Sequence, residues 1–256
     1  MILPPTGLRP GSVLLSGFLL LSVGITFAQT VGIPGGIFTM GKNDGSADEL
    51  PVHEVSLTPF SISRYEITEA AYDSCVQSGR CTAAHYNDST CRAWNGKRFI
   101  QVKVPPSARN RDYPVVCVTW LQAREYCRSR GMELPTEAQW EYAARSGGTA
   151  VPGAMTAPSA VAGRKVSPEA VGSGTPNGWG LHDMLGNAWE WVNDYYDVDA
   201  YAFSEPGNPK GPDAGIYRVI RGGGWYSSRS SLSITDRNWY SPGYSEVSIG
   251  FRCVGK

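Results

Sequence analysis

Six cysteines, Cys75, Cys81, Cys91, Cys117, Cys127 and Cys253, constrain this 256-residue chain more than any other feature. None forms a Cys-x-x-Cys pair, and His53, His85 and His182 are too scattered to complete a zinc site. An even number of cysteines suits disulfides in an oxidising compartment. The N-terminus points to such a compartment. A single basic residue, Arg9, precedes an apolar run from Val13 to Phe27, and Thr26-Phe27-Ala28 places small residues at the −3 and −1 positions. This pattern predicts a signal peptide over residues 1–28, cleaved after Ala28, and one domain over residues 29–256. A retained anchor is the alternative, because the run approaches the lower length limit of a spanning helix. The expected location is secreted or periplasmic.

Lys+Arg 23 against Asp+Glu 23 cancel, and removing residues 1–28 takes away Arg9 and no acid, leaving 22 against 23, a net of −1. No global field draws such a chain to nucleic acid or an anionic membrane, so neither is expected as a partner. Gly 30 and Pro 18 beside Trp 8 and Tyr 13 describe a loop-rich, aromatic-packed globule.

Three helices can be placed by their starts. Thr68 precedes Glu69-Ala70-Ala71-Tyr72, with Gly79 as a left-handed stop. Thr119 with Gln122 forms a capping-box pattern opening a helix that ends before Gly131, and Thr136 with Gln139 repeats it. Val52–Leu57, Phe60–Ser63, Val115–Thr119 and Arg218–Arg221 read as strands, and Ser146–Gly180 and Ser204–Gly215 as long loops. The class is α+β with little regular secondary structure.

Four segments carry a family resemblance. They are Gly35-Gly36-Ile37-Phe38-Thr39-Met40-Gly41 with Tyr65-Glu66-Ile67-Thr68, Val115 to Trp120 with Leu134-Pro135-Thr136-Glu137-Ala138-Gln139-Trp140-Glu141-Tyr142-Ala143-Ala144-Arg145, Asn177-Gly178-Trp179-Gly180-Leu181 with Gly186-Asn187-Ala188-Trp189-Glu190-Trp191, and Arg221-Gly222-Gly223-Gly224-Trp225 with Gly250-Phe251-Arg252-Cys253. In this order they resemble the sulfatase-modifying-factor, or formylglycine-generating-enzyme-like, family. The resemblance implies that family's fold, similar to a C-type-lectin core, and the residues themselves agree, with Trp140, Trp189, Trp191 and Trp225 reading as core anchors. It also implies a Cys127–Cys253 disulfide. The four remaining cysteines allow three connectivities; Cys75 with Cys81 and Cys91 with Cys117 is the expected one. A second bridge common in the family falls at Ala144 and approximately Ile234, where both cysteines are missing together.

Members that oxidise a sulfatase cysteine use two cysteines, four residues apart, between the Arg-Gly-Gly turn and the final Gly-Phe-Arg. Two thiolates there bind Cu(I), which hydroxyls hold poorly. Here the stretch is Tyr226-Ser227-Ser228-Arg229-Ser230-Ser231-Leu232-Ser233-Ile234-Thr235-Asp236, with no cysteine. Copper is therefore not expected, and no catalytic residue is assigned. The iron-dependent sulfoxide synthases that share this domain need a histidine-rich helical domain for which this chain has no room.

A family calcium site carries over to Asp183 and Glu190 as side-chain ligands and to Gly186 and Ala188 as main-chain ones, an oxygen set that suits calcium. The alternative is that the two acids only bind nearby backbone. A second, upstream site is lost, since Ser146–Pro176 contains Glu169 as its only acid and no Asn.

The expected function is an exported binding or accessory module whose groove replaces the active site, with Trp225, Tyr226, Ser227, Ser228, Arg229, Ser231, Arg237, Trp239 and Tyr240 as contact residues. Aromatics mixed with Ser and Arg give adaptable contact area for a protein, peptide or small-molecule ligand. Two alternatives stand beside it: an oxidoreductase of the family, and a diversified variable protein of a diversity-generating retroelement.

Overall fold

The computed structural model describes residues 29–147, 167–228 and 232–256; the expected signal peptide lies outside them. The three helices begin where hydroxyls can satisfy their free N–H groups. In α1 (Glu69–Gln77) Thr68 accepts from the Ala71 N–H, and Gly79 ends the helix at φ +72. α2 (Trp120–Ser129) and α3 (Glu137–Ala144) each open with a reciprocal capping box, Thr119 with Gln122 and Thr136 with Gln139.

Four small sheets complete the α+β architecture. β1 (Thr30–Ile33) and the C-terminal β11 (Val254–Gly255) flank β4 (Phe60–Ser63), both antiparallel to it. β2 (Gly36–Met40) pairs with β3 (His53–Leu57), and β5 (Arg92–Trp94) with β6 (Phe99–Gln101). A four-stranded sheet runs β10 (Ile249–Gly250), β7 (Trp189–Tyr195), β8 (Arg218–Arg221), β9 (Arg237–Tyr240), parallel only between β10 and β7.

Val115–Thr119 is not a strand, contrary to its apolar run. Cys117 sits at φ +58, which breaks the pleat, and successive N–H groups find unrelated partners: Val115 on Ile67 O, Val116 on the Tyr86 hydroxyl, Cys117 on Glu246 O. The disulfide to Cys91 fixes that turn.

The cysteines pair as Cys75–Cys81, Cys91–Cys117 and Cys127–Cys253, leaving none free. Ala144 and Ile234, which occupy the places of the missing family bridge, are buried in one apolar cluster with Trp140 and Leu181. Packing thus replaces a crosslink there. Trp140, Trp189 and Trp191 are buried, and the Trp191 indole donates to Val118 O, tying β7 to the segment before α2.

Candidate functional site

The site is built where β8 ends. Gly222 and Gly223 follow at φ +95 and +80, and a Cβ on Gly222 would lie 3.0 Å from Trp140 and 3.1 Å from Met184 O, so the chain turns here only with glycine. The turn delivers Trp225, whose backbone N–H donates to Asn187 O and whose indole donates to Val247 O at 3.1 Å. Trp225 and Tyr226 then form one side of a cleft of about 550 Å³, with Tyr86, Trp94 and Val104 opposite. Two acids line it. Glu69 is paired with Arg109 at 3.0 Å and accepts from the Tyr86 hydroxyl. Glu246, 1% exposed, has no ion pair among the described residues and accepts from Tyr244 and Ser248 hydroxyls instead. Burial pushes the carboxyls of Glu69 and Glu246 above their usual range.

Of the contact residues expected from sequence, Trp225 and Tyr226 line this cleft. Ser227 is used locally, its hydroxyl accepting from the Gly224 N–H, and Ser228 is exposed beside it. Arg229 and Ser231 lie outside the described residues. Arg237 is a correction. It is 4% exposed, forks onto Glu137 through Nε and Nη2, and donates to Asp48 O, so it cannot reach a ligand. Trp239 stacks on Tyr196 at 3.9 Å and does not line the cleft, whereas Tyr240, pointing to the other face of β9, stacks on Tyr244 at 4.0 Å behind Glu246. Sequence reasoning missed the opposite wall, Glu69, Tyr86 and the β5–β6 hairpin. The available signal was Trp94 and Phe99, two exposed aromatics in edge contact on a short hairpin.

Two buried charge clusters hold the family-motif segments together. In the first, Arg221 bridges Glu137 (2.9 Å) and Glu141 (2.6 Å), while Arg237 adds to Glu137 and Arg145 to Glu141. Burial would raise the Glu137 carboxyl, but Arg237 and Arg221 together hold it below its usual value. In the second cluster Arg252 forks onto Glu190, both contacts at 2.7 Å, and the Trp140 indole donates to the same carboxylate. Glu66 accepts from the Asn187 amide and the Ala188 N–H, and Asp183 from the Gly172 N–H. Burial drives the carboxyls of Glu66 and Asp183 upward, and in Glu66 the charges of Asp183 and Glu190 add to the rise.

The fit of calcium follows from these contacts. The donors are all oxygens, and Glu66 and Asp183 have no ion pair among the described residues, which suits a hard divalent cation. Asp183 sits at φ +56 and Gly186 at φ +88, a backbone turned sharply around the expected site. Glu190 joins such a shell only by sharing an oxygen with Arg252. Among the described residues no group of three or more His, Cys, Asp and Glu side chains converges on a metal position, so main-chain oxygens are essential to it.

The sulfatase-modifying factor enzyme 1-like domain family matches residues 22–256. The formylglycine-generating enzyme of Streptomyces coelicolor is 33% identical over 278 residues, covering 88% of this chain and 88% of that protein. The serine/threonine-protein kinase pkn1 of Chlamydia pneumoniae is 37% identical over 242 residues, covering 88% of this chain and 38% of the kinase. This chain therefore spans about two fifths of the length of that relative. The solved structure of PvdO from Pseudomonas aeruginosa has a TM-score of 0.72 at 25% identity, covering 89% of this chain and 94% of that one. The chain belongs to the sulfatase-modifying factor enzyme 1-like family and has the formylglycine-generating-enzyme fold.

Proposed function

We propose that this protein is an exported binding or accessory module that keeps the family's fold without its copper-dependent cysteine oxidation, and that its ligand docks in the cleft beside Trp225 and Tyr226. One observation carries this reading. Every cysteine is in a disulfide and the stretch from Tyr226 to Asp236 contains none, yet a cleft of about 550 Å³ borders that stretch. Cysteine oxidation on Cu(I) needs soft thiolates, and the hydroxyls of Ser227 and Ser228 do not replace them. The cleft offers aromatic faces and two acids, an amphipathic surface suited to a peptide, protein or small-molecule ligand. Three disulfides support export. Calcium held by Asp183, Gly186, Ala188 and Glu190 would offset the surplus buried charge and stiffen the segment that receives Trp225.

The decisive test is incubation of the purified protein with copper, dioxygen and a cysteine-containing sulfatase peptide. No aldehyde product is expected; its formation would overturn the reading. Binding is then sought by tryptophan fluorescence against peptide and small-molecule libraries, where Trp225→Ala and Tyr226→Ala should abolish any saturable response. The variable-protein alternative uses the same surface. A reverse-transcriptase gene beside this one, with a near-copy of the segment's coding sequence, would favour it.

A further inference from the structure

A second recess, about 320 Å³, lies where the end of β7 and the loop after it meet the start of α3. At its floor is Asp194, a side chain 3% exposed. Its Oδ2 accepts from the Glu137 N–H at 2.8 Å, while its Oδ1 receives no hydrogen bond among the described residues. Gly211 passes directly over Asp194 at φ +70, and a Cβ there would lie 2.9 Å from Oδ1, so glycine leaves that oxygen its space. The neighbouring cations are committed elsewhere. Arg237 forks onto Glu137, and Arg218 donates to Asn193 O and stacks over Tyr195. Asp194 is thus a buried carboxyl group with no ion pair among the described residues, lining an open recess.

Around it, Asp197, Asp199 and Glu205 line the recess with Lys210, the one lysine or arginine in its lining among the described residues, while Met40, Ala138, Phe203 and Pro209 supply apolar wall. The surplus negative charge calls for a cation. Among the described residues no three acidic, His or Cys side chains converge to hold a metal ion, and the apolar wall suits a methylene stem. We infer that this recess binds a primary alkylammonium group, its stem along Met40, Ala138 and Phe203 and its head on Asp194 Oδ1. This is a site separate from the cleft of the proposed function and does not depend on it.

The titration of Asp194 supports the same picture. Burial, with Glu137 adding to it and Arg237 and Arg218 partly opposing, pushes its carboxyl up to about 8; Asp197, Asp199, Glu205 and Lys210 share the recess. At pH 7 the empty site therefore holds a proton that an ammonium group displaces. Binding should release a proton and weaken as pH falls below about 8.

The test is calorimetry on the whole protein with n-butylammonium, with its neutral counterpart 1-butanol, and with Nα-acetyl-lysine methylamide. The expected result is saturable binding of both amines, none of 1-butanol, and proton release at pH 7 read from two buffers of different ionisation heat. Asp194→Asn keeps an acceptor for the Glu137 N–H and should weaken amine binding at least about tenfold by removing a charge-assisted contact. Tighter binding of the lysine derivative assigns the site to a polypeptide partner, and equal or weaker binding to a free amine. Absence of saturable amine binding, equal binding of 1-butanol, or unchanged affinity in Asp194→Asn would overturn the inference. Should that variant fail to fold, the wild-type proton release and the exposed-rim variant Asp197→Asn/Asp199→Asn/Glu205→Gln decide. No proton release, or no loss of affinity in the rim variant, overturns it equally.

Discussion

The two buried arginine clusters are made from similar parts and differ in their charge balance. Around α3, Arg145, Arg221 and Arg237 face Glu137 and Glu141, three guanidiniums against two carboxylates, with the protonated Asp194 at the edge. Around β7 and β10, Arg252 is the one arginine or lysine among the described residues paired with an acid of the set Glu66, Asp183 and Glu190. The first set is a closed structural network, in which Arg221 also donates to Ile234 O and Thr235 O and fixes the chain leaving the glycine turn. Among the described residues the second is short of positive charge by two. Buried carboxylates are tolerable only when neutralised, paired or ligated, so the second region is where a proton or a cation has to enter.

The comparison can be broken most directly through the anchor of the second cluster. Cys127–Cys253 joins residues 126 apart and tethers the link between β10 and β11 that carries Arg252, so replacing both cysteines by alanine should cost about 5 kcal/mol on a chain-entropy account, measured by denaturant titration. In the first cluster Arg221→Met should cost about 3–5 kcal/mol, because it removes the fully buried guanidinium that bridges Glu137 and Glu141 and leaves each acid with one arginine partner, Arg237 and Arg145. In the second, Asp183→Asn removes surplus charge and should cost under about 1 kcal/mol, or stabilise, when measured in chelator. Calcium should raise the melting temperature of the wild type more than that of Asp183→Asn, whose amide oxygen can still ligate the ion but carries no charge. A melting temperature insensitive to calcium and chelator would remove the ion from the second cluster. The smallest effect is in pH. Asp183 binds its proton more tightly folded than unfolded, so between the ordinary carboxylate range and its raised folded value stability falls as pH rises. Denaturation midpoints at pH 5, 6, 7 and 8 in chelator should decline less steeply in Asp183→Asn. Glu137 has the opposite sign: its contribution is present above the ordinary carboxylate range and is lost only as pH falls through its depressed folded value.

The helix starts were legible because capping is local. Thr119 and Gln122, or Thr136 and Gln139, need only three residues to meet. The glycine turn and the cysteine-free stretch after it were legible for the same reason, since they are properties of contiguous residues. The false strand at Val115–Thr119 shows the limit. Its apolar run was real, but a distant disulfide partner, Cys91, and the positive φ at Cys117 decided its backbone. Arg237 shows a second limit. Its nearness in sequence to Trp239 and Tyr240 suggested one surface, whereas β9 sends its side chain inward to Glu137, a hundred residues away.

By itself the sequence determined the helix starts, the family motifs and the lack of thiols for copper, all matters of composition and short spacing. The tertiary structure decided which acids lack a cation, where the cleft opens opposite Trp225, and that Asp194 faces an open recess beneath Gly211. Those outcomes depend on desolvation and on contacts between residues tens to hundreds of positions apart, and no local pattern encodes either one.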